Sequence, residues 1–484
     1  MHTGYVGVRV VFSIHHDKIF LNTALSREVA SMKILIAGGG KVGSELTAKL
    51  SAEGHEITLI DSSADVLESV MENFDIIAVQ GNAASMEVLE EAGVRDADLL
   101  IAATDADEVN LLSCLTGHGM NPDLHTIGRI RNHEYRHQAY EMREVFGLNM
   151  AINPEREAAV EISRLLKYPG FLNIETFANG IVEIVSLKID SSSPLNNISL
   201  KKLNSIIHCQ VLVCAVQREG QCLIPDGNFV LKANDIIYVT ASTNNLSTLL
   251  KNLGIITRKV KHVLIAGGGR ISYYLARELE ATGLNVSIIE QDADRCEELA
   301  SLLPNATIVI GDASSQEFLD REGVEKYDAM VNLTGLDELN IVMALYARAR
   351  NVPQVVTKLS HAEHNKILET LPIGSVVSPK ELSCNTIVRY VRAMQNSAGA
   401  ARSVHMIANG QGEAIEFMVT ENDLHIGEPL RTLKIRKDVL IASISHGIRT
   451  EIASGNSSYD VGDIIVLVSN GKDAIRNLND IFTD

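Results

Sequence analysis

Short segments that are mainly apolar alternate with longer segments whose apolar positions follow a helical period. KILIA (residues 33–37) and EITLID (56–61) are of the first kind, and residues 42–53 and 64–74 are predicted helices. Strands that are apolar throughout are typical of a parallel sheet that helices cover on both faces. The pattern therefore predicts a doubly wound α/β domain in the first part of the chain.

A different pattern follows Pro169 and Gly170. The segments GIVEIVSLKI, CQVLVCAVQR and NDIIYVTA are short, alternate between apolar and polar positions, and are separated by turns such as PDGNF. This pattern predicts a smaller, strand-rich lobe. A second lobe of this kind is expected from about Ser403 onward, where GDIIVLVSN resembles NDIIYVTAS.

The whole arrangement occurs twice. Gly38 and Gly267 are 229 positions apart, as are Asp61 and Glu290, and the segments that begin GNAAS and GDASS are 230 positions apart. A repeat of this length indicates that each copy is a complete domain. We therefore predict an α/β protein with two Rossmann-like doubly wound parallel-sheet domains, each followed by a small strand-rich α+β lobe. The expected bounds are 32–168 and 260–395 for the two nucleotide-binding domains, and 169–255 and 402–484 for the two small lobes.

The first copy carries the motif G-x-G-x-x-G at Gly38, Gly40 and Gly43, between its first strand and its first helix. The first glycine permits a tight turn, the second lets a pyrophosphate approach the helix N-terminus, and the third lets helix and strand pack closely. Asp61 ends the next strand, where a carboxylate can accept both ribose hydroxyls and repels a 2′-phosphate. The motif predicts a site for NAD or NADH.

The second copy departs from this motif at its third glycine. Gly267 and Gly269 are present, but Ser272 stands at the third position, where its Cβ and hydroxyl are expected to move the helix slightly away from the strand. Glu290 still supplies a carboxylate for the ribose. The sequence leaves open whether this copy binds a nucleotide.

Further polar residues follow other strands, at the edge where open α/β sheets bind ligands. Arg129 and Lys358 occupy equivalent places in the two copies, and each could donate charge-assisted hydrogen bonds to a phosphate. The alternative interpretation is that each such residue simply lies in an exposed loop and contacts no ligand. Together with the residues between the glycines, the additional candidate contacts are Lys41, Val42, Asn82, Ala83, Thr104 and Arg129 in the first copy, and Arg270, Ile271, Asp312, Ala313, Thr334 and Lys358 in the second.

Composition excludes several classes of protein. The net charge is −18 and no block of clustered Lys and Arg is present, which argues against a nucleic-acid partner. The six cysteines form neither a C-x-x-C pair nor a Cys/His zinc spacing, so we expect no metal site and interpret them as buried thiols.

No stretch reaches the 18 or so consecutive apolar residues of a membrane helix. Residues 1–31 contain a short apolar run that Arg9 interrupts, without a signal-peptide cleavage site, and Met32 directly precedes the first strand. We interpret residues 1–31 as a leader that is disordered or not part of the native product.

The sequence lacks a concentrated set of catalytic side chains. A dehydrogenase needs a proton donor or acceptor beside the hydride centre and a substrate pocket, and the small lobes offer no such cluster. Neither a nucleophile elbow nor a P-loop is present. The pattern favours a ligand-binding regulator that is not an enzyme. An NAD-dependent oxidoreductase and a scaffold with purely structural nucleotide folds remain as alternatives.

Several motifs together resemble one known family. MKILIAGGGKVGSELTAKL, the GNAAS and GDASS segments, TDADEVN and IGRIRNHEY, in the repeated order of large domain and small lobe, resemble the cytosolic regulatory subunit of Trk-type potassium transporters. That family has two NAD-binding domains that regulate potassium conductance (RCK domains), each with a small C-terminal lobe. The resemblance covers the chain from Met32 onward.

The resemblance implies a peripheral homo-oligomer on the inner, cytoplasmic face of the membrane, below a membrane-embedded potassium transporter subunit. It also implies that NAD, NADH, ATP or ADP shifts the conformation of the protein. Asn82 stands where the second copy has Asp312, and Ser272 replaces a glycine, so the two sites could prefer different ligands. Carried over by position, the family's ligand contacts would fall on Gly38, Gly40, Gly43, Asp61, Asn82, Thr104 and Arg129, and on Gly267, Gly269, Glu290, Asp312, Thr334 and Lys358.

Overall fold

The computed structural model of the chain describes residues 31–167, 171–178, 181–255, 260–360, 371–395, 401–408, 410–447, 449–471, 475 and 477–483. Apart from its last residue, the predicted leader of residues 1–31 lies outside these ranges. Among the helices in these ranges, none is both long and apolar enough to cross a bilayer.

The first α/β domain is built on a parallel six-stranded sheet. Its strands are β1 (Lys33–Ala37), β2 (Glu56–Asp61), β3 (Ile77–Gln80), β4 (Leu99–Ala102), β5 (His125–Arg129) and β6 (Met150–Ile152). Its helices are α1 (Lys41–Ala52), α2 (Ala64–Met71), α3 (Met86–Glu91), α4 (Asp107–Met120), α5 (His133–Glu141) and α6 (Pro154–Lys167). The strand order is β3-β2-β1-β4-β5-β6.

This strand order positions the candidate site. β1 pairs in parallel with β2 on one side and with β4 on the other, because the chain builds one half of the sheet and then crosses back to build the other. The helices that follow β1 and β4 therefore diverge and leave a crevice at the carboxyl ends of these two strands. Four of the five residues of β1 are buried, as expected for a strand covered on both faces.

The first small lobe is antiparallel. Its strands are β7 (Asn173–Phe177), β8 (Val182–Lys188), β9 (Leu212–Arg218), β10 (Gln221–Leu223) and β11 (Ile236–Thr240), in the order β10-β9-β11-β8-β7. Helices α7 (Leu203–Ile207) and α8 (Thr243–Asn252) accompany them.

The second half of the chain repeats both sheets. The parallel strands are β12 (His262–Ala266), β13 (Asn285–Glu290), β14 (Thr307–Ile310), β15 (Ala329–Asn332), β16 (Gln354–Lys358) and β17 (Ser375–Val377), in the order β14-β13-β12-β15-β16-β17. The helices are α9 (Arg270–Ala281), α10 (Ala293–Leu302), α11 (Gln316–Arg321), α12 (Asp337–Ala349) and α13 (Pro379–Gln395). The antiparallel strands are β18 (Ser403–Ile407), β19 (Gly412–Met418), β20 (Val439–His446), β21 (Arg449–Ile452) and β22 (Ile464–Ser469), in the order β18-β19-β22-β20-β21. The predicted fold class is confirmed.

The two α/β domains exchange the helix that follows their last strand. Helix α6 of the first domain packs along α9 of the second, and α13 of the second packs along α1 of the first. Ile387 and Val391 of α13 are buried in the same apolar cluster as Ile36 of β1. At the end of α13, Nη2 of Arg392 lies 2.6 Å from Oε1 of Glu53, directly after α1. Each domain therefore contributes a helix to the core of the other.

The two small lobes also share a core. Phe177 from the first lobe belongs to one apolar cluster with Ile407 and Val466 from the second. The backbone N–H of Ala178 donates a hydrogen bond of 2.6 Å to Oε2 of Glu416 across the same contact. Residues 32–484 consequently form one compact unit.

Candidate functional site

The first glycine loop is shaped by two positions that exclude a side chain. Gly38 has a φ of +98°, and an added Cβ would lie 2.9 Å from the backbone nitrogen of Thr104. A Cβ added to Gly43 would lie 1.8 Å from the carbonyl oxygen of Gly38. Both glycines are therefore required by the close approach of the loop, β4 and α1.

Gly40 has the opposite surroundings. It immediately precedes α1 with an extended backbone, and a Cβ added there would meet nothing within 4 Å. Because the first N–H groups of a helix lack intrahelical partners, this open space before α1 suits a phosphate group. Gly269 before α9 has the same open surroundings in the second copy.

The residues that follow these glycines divide by exposure. Lys41 and Arg270, the first residues of α1 and α9, are exposed beside the open space. Val42 is buried in the core of the first domain, and Ile271 is partly buried against the core that α6 and α9 share. The two cations can thus meet an anionic ligand through their side chains, whereas Val42 can offer only its backbone N–H.

Asp61 is held against the glycine loop at the end of β2. Its Oδ2 accepts a hydrogen bond of 2.7 Å from the backbone N–H of Gly39, and its Oδ1 accepts one of 2.9 Å from the backbone N–H of Ser63. A carboxylate offers about four acceptor positions in all, so about two remain for a ligand. This is the number that a ribose diol requires.

Ser272 fits the second glycine loop by donating a hydrogen bond. Its side chain is fully buried, and Oγ donates to the carbonyl oxygen of Gly267. This carbonyl is equivalent to that of Gly38, which a Cβ on Gly43 would strike in the first copy. The loop keeps the conformation of the first, since φ is +99° at Gly267. Its approach to the neighbouring strand is similarly close, since a Cβ on Gly267 would be 3.1 Å from the carbonyl oxygen of Leu333.

A buried asparagine that sequence reasoning missed organises each crevice. Oδ1 of Asn110 accepts hydrogen bonds from the backbone N–H and the hydroxyl of Thr104, at 2.8 and 2.7 Å. Its Nδ2 donates to the carbonyl oxygens of Thr104 and Arg129 and so joins the ends of β4 and β5. Asn340 makes the equivalent bonds to Thr334 and Lys358. The sequence did indicate a shared role for this asparagine, because an Asn follows the Thr by six positions in both copies.

Arg129 and Lys358 lie at the floors of their crevices. Nη2 of Arg129 lies 3.1 Å from Oδ1 of Asp105, while its buried Nε has no hydrogen-bond partner among the described residues. Nζ of Lys358 donates a 2.7 Å hydrogen bond to the carbonyl oxygen of Thr334. Burial lowers the pKa of both side chains. A bound phosphate would offset the cost of burying these cations.

The loops after β3 and β14 place the remaining candidates. Oδ1 of Asn82 accepts from the backbone N–H of Ala84, and Oδ1 of Asp312 accepts from that of Ser314. The hydrogen bonds from Ser314 lower the pKa of Asp312. Ala83 and Ala313 are buried behind these exposed polar residues. Asn82 and Asp312 thus shape their turns equivalently, although only Asp312 carries charge.

Solved structures of similar fold include the GsuK channel and the GsuK RCK domain. The channel has a TM-score of 0.59 and 17% identity, with 93% of this chain and 78% of that chain covered. The RCK domain has a TM-score of 0.58 and 17% identity, with coverage of 93% and 94%. At this identity the likeness concerns the fold alone.

Sequence comparison identifies the family. The TrkA-N domain matches twice, over residues 34–154 and 263–379, and the TrkA-C domain matches residues 184–254. The Trk system potassium uptake protein TrkA of Haemophilus influenzae is 30% identical over 457 residues, which cover 93% of this chain and 98% of that protein. The TrkA homolog of Archaeoglobus fulgidus is 30% identical over 452 residues, with coverage of 93% and 100%. Since both the repeated domains and almost the full length match, the chain belongs to the TrkA family of Trk system potassium uptake proteins.

Proposed function

We propose that this chain is the nucleotide-sensing regulatory subunit of a potassium uptake system. It binds NAD or NADH at the first crevice and regulates a membrane-embedded potassium transporter subunit. The observation that carries the proposal is the geometry of Asp61, whose two oxygens are each held by one backbone N–H of the first crevice and keep acceptor capacity for a ribose diol. The names of the relatives support the potassium uptake system.

The nucleotide is held by complementary groups at the two ends of the crevice. The pyrophosphate lies at the N-terminus of α1, over Gly40, where unpaired N–H groups favour negative charge. The ribose of the adenosine half meets Asp61. Arg129, whose Nε has no hydrogen-bond partner within the described part of the chain, supplies a cation at the floor. A related arrangement around Gly269, Glu290 and Lys358 forms a second site. ATP and ADP are further candidate ligands of the chain.

Regulation follows from differential affinity. A ligand shifts a conformational equilibrium only by as much as it binds one state better, typically about 1–3 kcal/mol per site. The exchanged helices provide the mechanical connection, because α13 packs on α1 directly after the first glycine loop and leads into the second lobe. Assembly as a homo-oligomer on the cytoplasmic face of the membrane would sum the contributions of several sites.

The alternative of an NAD-dependent oxidoreductase is tested in the same experiment. Hydride transfer requires an acid or base that can reach a substrate. The cations at the floor of each crevice instead contact groups of the protein itself, Asp105 for Arg129 and the carbonyl of Thr334 for Lys358. The geometry therefore favours ligand binding over turnover.

Gly40→Asp tests the proposal sharply. Aspartate is a favoured residue before a helix, and the open space around Gly40 accepts it, so the melting temperature should stay equal or rise slightly. The carboxylate would occupy the α1 N-terminus and repel the pyrophosphate, which should weaken NADH binding at the first site by at least about a hundredfold. Gly40→Ala is the matched control, since it adds only a methyl group into open space and should retain binding.

Calorimetric titration of the full chain with NADH, ATP and ADP measures nucleotide binding, and an assay for NADH oxidation measures turnover. Saturable NADH binding without turnover would support the regulator, provided that Gly40→Asp removes the first-site component of that binding and Gly40→Ala preserves it. Steady NADH consumption with a metabolite would favour the oxidoreductase. A wild-type chain that binds no nucleotide would refute the proposal and leave a structural scaffold.

A further inference from the structure

The two crevices differ at one position beside the acidic residue. Position 66 in the first turn of α2 and position 295 in the first turn of α10 are 229 residues apart and thus equivalent in the repeat. Val66 packs over Gly39, where its Cγ1 would lie 2.5 Å from an added Cβ. The equivalent residue of the second copy is Arg295. An apolar wall of the first crevice is therefore replaced by a cation in the second.

Arg295 is oriented toward the second glycine loop. Its Nε donates a 2.7 Å hydrogen bond to the carbonyl oxygen of Gly268, while the N–H of Gly268 donates a 2.6 Å bond to Oε2 of Glu290. The guanidinium and the carboxylate are thus held by the same glycine. Nη1 of Arg295 bonds to Glu298, whereas Nη2 makes no hydrogen bond to any described residue. Nη2 remains available to a ligand at the ribose end of the crevice.

Glu290 has less capacity for a ribose diol than Asp61. Its Oε1 accepts from the backbone N–H groups of Gln291 and Asp292, at 2.8 and 2.9 Å, in addition to the bond at Oε2. Three of its roughly four acceptor positions are filled, which leaves about one, whereas Asp61 keeps about two. Glu290 can therefore accept one ribose hydroxyl but not both.

From these two differences we infer that the second crevice accepts nucleotides that carry a 2′-phosphate, of the NADP or NADPH class, which the first crevice rejects. The inference rests on the proposed nucleotide-binding function and specifies the ligand of its second site. A 2′-phosphate replaces a hydroxyl donor with oxygens that only accept, so it needs one acceptor fewer from Glu290 and can use a spare guanidinium N–H. The carboxylate of Glu290 by itself would repel this phosphate, as Asp61 does, but the guanidinium of Arg295, held by the same glycine, offsets that charge. An arginine near the ribose is also the usual means by which Rossmann folds accommodate this phosphate.

The test compares NADPH with NADH at the second site alone. In full-length protein with Gly40→Asp, which silences the first site, we expect calorimetric titration to detect binding of NADPH as well as NADH. The further substitution Arg295→Val introduces the residue that the first copy has at this position. It should weaken the binding of NADPH by at least about tenfold relative to the binding of NADH. Glu298→Gln is the matched control, because it removes the carboxylate partner of Arg295 and should preserve or strengthen NADPH binding.

The reciprocal exchange uses the first site. In protein with Gly269→Asp, which silences the second site, Val66→Arg should raise NADPH affinity relative to NADH. Thermal melting of each variant monitors folding, and Asp61→Ala is the alternative substitution for silencing the first site if Gly40→Asp unfolds the chain.

Two results would overturn the inference while nucleotide binding by the wild-type chain stands. One is an unchanged NADPH-to-NADH affinity ratio in Arg295→Val; an equal fall of both affinities is the form of this result that marks a purely structural arginine. The other is that the Gly40→Asp protein binds neither dinucleotide. Failure of the wild-type chain to bind any nucleotide would instead refute the proposed function itself, so the two failures are distinguishable.

Discussion

Gly43→Ala offers the most direct test of why the first crevice needs its third glycine. The added Cβ would lie 1.8 Å from the carbonyl oxygen of Gly38, whereas real Cβ atoms essentially never approach a neighbour within 3.0 Å. That carbonyl belongs to the backbone of a tight turn and cannot rotate away as a side chain could. The loop and α1 must therefore separate.

The size of the effect follows from this separation. The two segments must move apart by at least about 1.2 Å, which would lengthen a normal N–H to phosphate hydrogen bond of about 2.9 Å to roughly 4 Å and so break it. Hydrogen bonds to charged groups contribute about 1.5–3 kcal/mol each. Loss of two such bonds predicts that NADH binding at the first site weakens by at least about a hundredfold.

The assay is calorimetric titration with NADH in protein with Gly269→Asp, so that only the first site reports. Ser272→Ala is the matched change in the second copy, tested in protein with Gly40→Asp. It keeps the Cβ and removes only the hydrogen bond to Gly267, so its effect on nucleotide binding should be small. If Gly43→Ala binds NADH as tightly as the unmodified site, the close contact of loop and helix is not what the nucleotide requires.

Two further substitutions test the interior. Asn110→Ala leaves the partly buried groups of Thr104 unpaired and should destabilise the first domain by about 2–4 kcal/mol, seen as a lower urea midpoint; an unchanged midpoint would contradict the bridging role of Asn110. Burial, aided by Glu175, raises the pKa of Glu161 from 4.5 to about 7. A raised carboxyl pKa gives stability that is complete at acid pH and lost as pH rises through about 7, so Glu161→Gln should stabilise the chain by up to about 3 kcal/mol more at pH 8 than at low pH. Equal stabilisation in melting experiments at both pH values would contradict this.

Local patterns predicted most elements because short-range chemistry decides them. The apolar run of β1 and the glycine motif before α1 identify a strand, a turn and a helix without reference to the rest of the chain. Boundaries were less well predicted. The helix expected over residues 64–74 ends at Met71, since the end of a helix depends on the contacts of its last turn.

The candidate site was predicted only in part. Gly38, Gly43 and Asp61 could be chosen because the backbone conformation and the charge at those positions have few alternatives. Asn110 was overlooked, since a buried asparagine and an exposed one look alike in a single sequence until their hydrogen-bond partners are known. The two copies can also be compared position by position, yet the different roles of Val66 and Arg295 emerge only from their contacts.

By itself, the sequence determined the repeat, the alternation of parallel and antiparallel sheets and the position of the glycine loops, because each follows from local periodicity and from residues with restricted conformations. Only the tertiary structure decided that α6 and α13 are exchanged between the domains and that Ser272 fits its loop through a hydrogen bond. It also decided how many acceptor positions remain on Asp61 and on Glu290. The physical reason is that packing partners and hydrogen-bond saturation depend on groups far apart in the chain, and no local pattern records which of them meet.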